Sequence, residues 1–493
     1  MSIEGTSNGR TCGLGHMLMY SFGECANSLV MNGINGFAML YYTKALGLNP
    51  SWAGIAISVS IFWEAVSEPV MGHISDNTRS RFGRRHQYMI LGGLAMALCF
   101  YMIWCVPKAF IGGQQSLFWY LVVMNILFRT GLTLFFIPYM ALGFEMCTDY
   151  QGRSKIQSLR FVFSMIANVA GPAMAWRLFF HDENGVQATT VAENYVRMGG
   201  VFAVVTAFVV LLVVAMTFRW HEDTREAPAK RSGGHALRGF LLDIKRIILD
   251  PNPRWVFIFV LVVCMGMVFV STLQMYVYDD FMKFSGNQKF YAHGSTMVAA
   301  GLGSFLAIFL SRKLDKRGTV LLGGAISIVC NLMLGILFLT GLVPLNTVWN
   351  VGGIEVPVTL AVFIIFHAGY WFGNGMLLPI ATAMMADVSE IHQIETGENK
   401  DGGYSAVFSL CMRVAIAFSG VVSGFSLEWI GFKVAEEGKA AVVQSADTIW
   451  LLGAITFVMG TVIACAALLS IMKYRINRQF VEELRARKAT RDD

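Results

Sequence analysis

The 493-residue chain is predicted to be an all-α membrane protein whose twelve transmembrane helices form two six-helix halves. Three observations predict this. The composition is 55% hydrophobic and 14% charged, where a soluble domain carries about 25% charged residues. About a dozen stretches approach the roughly 20 apolar residues that a helix needs to cross a hydrocarbon core of about 30 Å. Finally, basic residues gather in alternate loops, as they do when a chain threads a bilayer repeatedly.

In order, the spans read as 15–43, 51–75, 87–107, 117–147, 157–180, 198–219, 254–281, 291–311, 318–343, 356–386, 404–430 and 447–472. The first is long, contains Asn27, Asn32 and Asn35, and lacks a small-residue cleavage site. It therefore reads as a mature span and not as a signal peptide. After the sixth span comes the longest polar interruption. The chain divides accordingly into an N-terminal half (1–219), a linker (220–253), a C-terminal half (254–472) and a tail (473–493). Segment 181–197, HDENGVQATTVAENYVR, is a long loop that either closes over the protein as a lid or has no role, the second reading being preferred. The tail, with INRQFVEELRARK, reads as a short cytoplasmic helix.

One alternating set of loops holds Arg79, Arg81, Arg84 and Arg85, then Arg153 and Lys155, the linker, Arg312, Lys313, Lys316 and Arg317, and the basic tail. The opposite set has only scattered residues such as Lys44, Lys108, Lys283 and Lys289. The positive-inside rule then places both termini in the cytoplasm of a cell whose inner membrane the chain spans many times. RSRFGRR after the second span and SRKLDKRG after the eighth occupy equivalent places in the two halves. Nine cysteines lie in or beside spans without metal-ligand spacing, so neither disulfides nor a metal cluster are expected. Motifs for a nucleophile and base or for a catalytic metal are absent, which argues against an enzyme. The +6 formal charge belongs to orientation, so no nucleic-acid partner is expected. The expected partners are the lipid bilayer and a small-molecule substrate, and the chain reads as a monomer.

An ionisable side chain at membrane depth costs at least about 2.5–3.5 kcal/mol, so each needs a partner, water or a function. Glu64 and Glu68, with Ser67 beside them, lie four apart on one face of the second span. Two like charges so close are tolerable when they share a proton or bind a cation. Thr133 offers a further oxygen, and hard cations prefer an all-oxygen cage. The competing reading is that nearby arginines neutralise both glutamates as static glue. Arg129 sits at mid-depth on a face continued by Thr133, Phe136 or Ile137, and Met140, and a guanidinium suits a carboxylate, sulfate or phosphate. It is equally suited to pairing with a glutamate. Glu24, Asn27, Ser28, Met31 and Asn35 make a polar stripe on the first span. Tyr370, Trp371 and Asn374 in GYWFGNG resemble an aromatic platform with donors, although such stripes more often pack helices together. His367 reads as a packing histidine, and Arg177 as a residue that snorkels.

Six helices, a linker and six helices resemble the major facilitator organisation, in which two halves rock about a midplane site. Three long motifs narrow the resemblance: FWEAVSEPVMGHISDNTRSRFGRRHQY, IPYMALGFEMCTDYQGRSKIQSLRFVF and ADVSEIHQIETGENKDGGYSAVFSLCMR. In order and spacing they are similar to the glycoside-pentoside-hexuronide:cation symporter family of the major facilitator superfamily. The resemblance implies that the family's paired cation-binding aspartates fall on Glu64 and Glu68, the asparagine between them on Ser67, its threonine ligand on Thr133 and its lysine of the eleventh span on Arg413. Sodium at Glu64, Glu68 and Thr133 and a proton are the two coupling ions implied, with no other cofactor. The proton is favoured because glutamate has the higher reference pKa. The family's galactoside-binding carboxylates and tryptophan align with Ser28, Phe136 and Met140, which cannot replace them, while its arginine of the fifth span falls on Arg160.

These readings predict a cation-coupled symporter working by alternating access. Its substrate site draws on Glu24, Asn27, Ser28, Arg129, Phe136, Met140, Arg160, Tyr370, Trp371, Asn374 and Arg413. The favoured substrate is an anionic glycoside, hexuronide or related organic anion. A neutral sugar or a lysolipid-like amphiphile is the alternative, the latter because the resemblance extends to eukaryotic lysolipid carriers. A transporter-like sensor without transport is an outside reading.

Overall fold

The computed structural model of the protein describes residues 13–474 except 79, 81, 148–149, 182–186, 219–246, 248–253, 346, 352–353, 398–399 and 435–441. Among the described residues, ten helices are long and apolar enough to cross a membrane. The two spans missing from that number have physical explanations. The first span, α1, is assembled from pieces: Leu14–Ser21, Glu24–Gly33 and the π-turns Ile34–Ala38 and Tyr41–Ala45. No piece is long enough alone. The second is hidden in the 54-residue run Gly286–Leu339, which would be about 80 Å long if straight. Asp315, at φ 60° and ψ 170°, breaks it into α8 (286–314) and α9 (316–339). Ser304 Oγ donates to the Gly375 carbonyl at 2.7 Å and Ser327 Oγ to the Tyr370 carbonyl at 3.0 Å. Residues on either side of the break thus meet a common neighbour at similar depth, so the chain reverses at Asp315.

The remaining helices are α2 (Pro50–Asn77), α3 (His86–Trp104), α4 (Gln114–Met146), α5 (Tyr150–Phe179), α6 (Ala192–Thr217), α7 (Arg254–Tyr276 with the π-turn Val277–Phe281), α10 (Val358–Thr396), α11 (Asp401–Trp429) and α12 (Ala446–Ala454, Ile455–Met459 and Gly460–Ile471). A hairpin of β1 (Val348–Val351) and β2 (Ile354–Pro357) joins α9 to α10. Two boundaries depart furthest from the apolar pattern. The fifth helix starts at Tyr150 and not near 157, and α10 runs to Thr396 and not to 386, where Gly397 at φ 76° ends it. In both places the helix continues past its apolar core into polar residues, which a hydropathy reading does not register. Because α6 begins at Ala192, the loop expected over 181–197 is shortened to the residues before it. The expected linker, 220–253, lies outside the described residues apart from Ile247, as does the tail beyond Tyr474. Eight described cysteines are all free thiols.

Among helices 1–6, α1 packs on α5 and α6, α2 on α4, and α3 on α4 and α6; among helices 7–12, α7 packs on α11 and α12, and α10 on the α8–α9 hairpin. Three pairs cross between the sets: α2 with α11, α5 with α8, and α1 with α7. At the end carrying the basic loops, Arg85 pairs with Glu145 at 2.8 Å and Asp76 at 2.6 Å, and Arg84 with Glu145 at 2.9 Å. Lys316 pairs with Asp387 at 2.6 Å. The two equivalent basic loops are therefore each tied to the fourth helix of their own set. Lys44 and Lys289, which the sequence places in loops, are buried.

Candidate functional site

Glu64 and Glu68 stand one turn apart near the middle of α2, about 20 Å from its start at Pro50. Pro69 follows at once, and its missing N–H leaves the Ala65 carbonyl of the same turn without its helical donor. Arg129 from α4 donates to Glu64 Oε2 in a short contact. Arg413 from α11 bridges both carboxylates, with Nη1 2.9 Å from Glu64 and Nη2 2.5 Å from Glu68. Ser67 Oγ lies 3.2 Å from Thr133 Oγ1 on α4. The four residues singled out as a cation site are therefore together, and so are the two arginines that could neutralise them. Glu64 is buried between two guanidiniums, while Glu68 has one and keeps 23% of its side chain exposed. A sodium ion, which needs several oxygens at once, fits this set only when Arg413 withdraws. A proton needs one carboxylate oxygen, and Glu68 offers it in place.

A second pair lies closer to the basic-loop end. Arg160 on α5 holds Glu24 Oε2 through Nε at 3.0 Å and Nη2 at 2.6 Å, and Gln157 through Nη1 at 2.9 Å. Asn27 donates to the other oxygen of Glu24 at 3.2 Å. The guanidinium sits 5.9 Å from the ring centre of Phe136 and 5.2 Å from that of Tyr139. Glu24, Asn27, Phe136 and Arg160 thus form one polar-aromatic group. Ser28 instead bonds Ser164 at 2.9 Å, and Asn32 bonds Asn168, stitching α1 to α5. Met140 is partly buried on the same helix as Phe136.

The residues singled out on α10 divide between two faces, although the Tyr370 and Trp371 rings meet edge to face with their centres 5.5 Å apart. Tyr370 and Asn374 face a narrow space between α7, α9 and α12, with Asn374 donating to the Tyr370 carbonyl at 2.9 Å. Trp371 turns to α7, where its Nε1 donates to Gln274 Oε1 at 3.0 Å. His367 Nε2 lies 3.0 Å from that same oxygen and 3.1 Å from the Tyr278 hydroxyl, so the histidine packs within a hydrogen-bonded group. Arg177 lies over the Phe290 ring at 5.5 Å.

Sequence reasoning did not anticipate the polar cluster at the opposite end. Lys44 contacts Asp279, both oxygens of Asp280 at 2.9 Å and Gln187 at 3.1 Å. Thr189 also donates to Asp279, and Lys289 Nζ lies 2.5 Å from its other oxygen. Around this cluster the helices of the two sets meet closely: Thr43 Oγ1 lies 2.7 Å from the Tyr276 hydroxyl, Asn49 donates to Glu428 at 3.2 Å, and Ser58 donates to the Ala417 carbonyl at 2.6 Å. This end is closed. The available signal was two adjacent aspartates in the last turn of α7 facing a lysine in the last turn of α1, but charges at span ends are common enough to hide it.

The family model described as MFS/sugar transport protein matches residues 19–478. An inner membrane symporter of Escherichia coli (strain K12) is 23% identical over 86% of this chain and 85% of its own. A sodium-dependent lysophosphatidylcholine symporter of Danio rerio is 28% identical, over 32% of this chain and 29% of its own. Among solved structures, a D-xylose-proton symporter superposes with TM-score 0.60 at 13% identity, covering 94% of this chain and 97% of that one. At that identity the likeness concerns the fold.

Proposed function

Because the chain belongs to the MFS/sugar transport protein family, and is thus a membrane transporter and not an enzyme, we propose that it is a cation-coupled symporter of a small organic anion: an anionic glycoside, a hexuronide or a relative of these. The observation that carries the proposal is the balance of buried charge. Glu24, Glu64 and Glu68 face Arg129, Arg160 and Arg413, three carboxylates against three guanidiniums. Binding one proton or sodium ion leaves a surplus positive charge in a site of low dielectric. An anion about 6 Å away, at an effective dielectric of about 20, then gains about 3 kcal/mol, or about 100-fold in affinity. By reciprocity the anion favours the cation equally, which is the thermodynamic content of symport. Glu68 is the proposed entry point for the coupling ion, with a proton favoured. Its loading releases Arg413, the residue of α11 that bridges to α2.

The basic loops support an orientation with those loops in the cytoplasm and the closed end outside, in the inner membrane where the Escherichia coli relative resides by its name. The conformation is then closed to the outside. A neutral sugar is the second reading, favoured by the site's neutrality before loading. Uptake of labelled methyl glucuronide and methyl glucoside into proteoliposomes, driven separately by proton and sodium gradients, tests the proposal. We expect proton-driven uptake of the glucuronide. Glu68→Gln should abolish uphill uptake and retain exchange of internal for external solute. Uptake indifferent to both gradients, or full uphill uptake by Glu68→Gln, overturns it.

A further inference from the structure

The closed outer end contains a carboxylate-binding site whose present occupant belongs to the protein itself. Lys44, at the end of α1, and Gln187 and Thr189, before α6, come from the first six helices; Asp279 and Asp280 on α7 and Lys289 on α8 come from the last six. The cluster is dry: the side chains of Lys44, Asp279 and Lys289 are exposed by 5%, 1% and 1%. It is also neutral, with two carboxylates against two ammonium groups. Lys289 further rests on the Trp176 ring at 4.9 Å. Tyr195 donates to the Thr189 carbonyl at 2.9 Å and Asn194 to the Ala188 carbonyl at 2.9 Å, fixing the short 3₁₀ turn that aims the Thr189 hydroxyl.

Alternating access requires these two sets to part at this end, and parting divides the cluster unequally. Asp279 keeps Lys289, but Asp280 loses Lys44, so the α7 side is left with one surplus negative charge. The α1 side is left with the Lys44 ammonium and the Thr189 hydroxyl, two donors already placed to bind one carboxylate oxygen between them. We infer that Lys44 and Thr189, with Gln187 beside them, capture the carboxylate of an incoming solute at the outer mouth, in the position that Asp279 fills when that mouth is shut. The inference rests on the anionic-solute reading above and adds a place and a partner to it. The site lies about 30 Å along α1 from Glu24, so it is an entry station distinct from the central charges. A solute seated there excludes Asp279 and holds the gate open. Closure follows only when the solute moves inward and Asp279 takes back both donors.

A simple latch and a capture site make opposite demands on the two partners of one ion pair, and this separates them. If the cluster only latches, removing either partner weakens closure, and every variant moves KM in the same direction. If it captures, Lys44→Gln and Thr189→Val raise KM for methyl glucuronide by about tenfold, the effect of losing one charge-assisted bond, whereas Asp280→Asn, which removes a competitor for Lys44, lowers it. The variants are measured as purified, monodisperse protein in proteoliposomes. Thr189→Val and Asp280→Asn alter no more than a hydroxyl and one oxygen, so the comparison survives if Lys44→Gln misfolds. Glucuronide uptake with all variants shifting KM in one direction overturns the capture site and leaves the anionic substrate standing. Uptake of glucoside without glucuronide overturns both.

Discussion

Replacing Gly54 by alanine should hold the closed end of the transporter apart without disturbing any charge. Gly54 on α2 faces Gly420 on α11, and a Cβ at residue 54 would lie 2.4 Å from the Gly420 carbonyl oxygen and 3.2 Å from its carbon. Ordinary carbon–oxygen contact begins about 1 Å further out, so the two helices must separate by about that much. A radial gap of about 0.5–1 Å forfeits a quarter to a half of each dispersion contact along the seam, and the net penalty of such overpacking is about 1–3 kcal/mol. It falls on the closed state alone, because the helices are already apart when this end is open. The equilibrium therefore moves toward the form open at this end by about 5- to 150-fold. Gly424 supplies an independent test on the same seam, since a Cβ there would meet the Pro50 carbonyl oxygen at 2.3 Å. In a background with the native cysteines replaced, the assay is the rate at which Cys at position 43, introduced as Thr43→Cys, reacts with a membrane-impermeant maleimide. Thr43 is fully buried against Tyr276 when the end is closed. Gly54→Ala should raise that rate at least about fivefold and depress the maximal uptake rate. Unchanged labelling and unchanged uptake, in a protein that expresses and remains monodisperse, would refute the closed seam between α2 and α11.

Three further outcomes follow from particular contacts. Arg413→Gln should abolish uphill uptake, whereas Arg413→Lys should retain part of it, because a point charge can serve Glu64 or Glu68 but cannot span the 2.9 and 2.5 Å bonds of the guanidinium fork; gradient-driven uptake checks both. Tyr20→Phe removes the hydroxyl that donates to the Tyr139 carbonyl at 2.8 Å in a fully buried crossing of α1 and α4. It should lower stability by about 1–2 kcal/mol, read as a fall of a few degrees in melting temperature by scanning fluorimetry in detergent. Asp315→Gly should be tolerated or raise the melting temperature, because φ 60° with ψ 170° is a region that essentially only glycine occupies without strain, while Asp315→Val should lower the yield of folded protein.

Much of this architecture was legible in the chain because lipid imposes a single demand, that each crossing be helical and long enough to satisfy its own backbone. Composition and loop charge alone placed the spans and their alternation. Hydropathy erred where the helix leaves the apolar layer, past residue 386 on α10 and before 157 on α5, whereas the break expected between residues 311 and 318 is where the chain reverses, at Asp315. At the candidate site, the four-residue spacing of Glu64 and Glu68 suffices to put both on one helical face. That Arg129 serves Glu64, and that Arg413 reaches across from α11 to both, depends on distances between helices 65 and 345 residues apart in the chain. Tyr370 and Asn374, four residues apart, do share a face, but a helix turns about 100° per residue, so Trp371, while its ring touches that of Tyr370, directs its N–H to Gln274 on α7. The cluster of Lys44, Asp279 and Lys289 escaped notice for a related reason. Each charge sits at the end of an apolar stretch, where the sequence alone suggests contact with water.

Local composition and helical periodicity were enough to indicate the solvent, the helical nature of the crossings and the chemical character of each buried charge, because none of these depends on a distant part of the chain. Which charges neutralise one another, how they divide between the two sets of helices, and which end is shut emerged only from the packing of the helices. Those are properties of pairs: an arginine and a glutamate have no fixed meaning in a membrane until the fold sets the few ångströms between them.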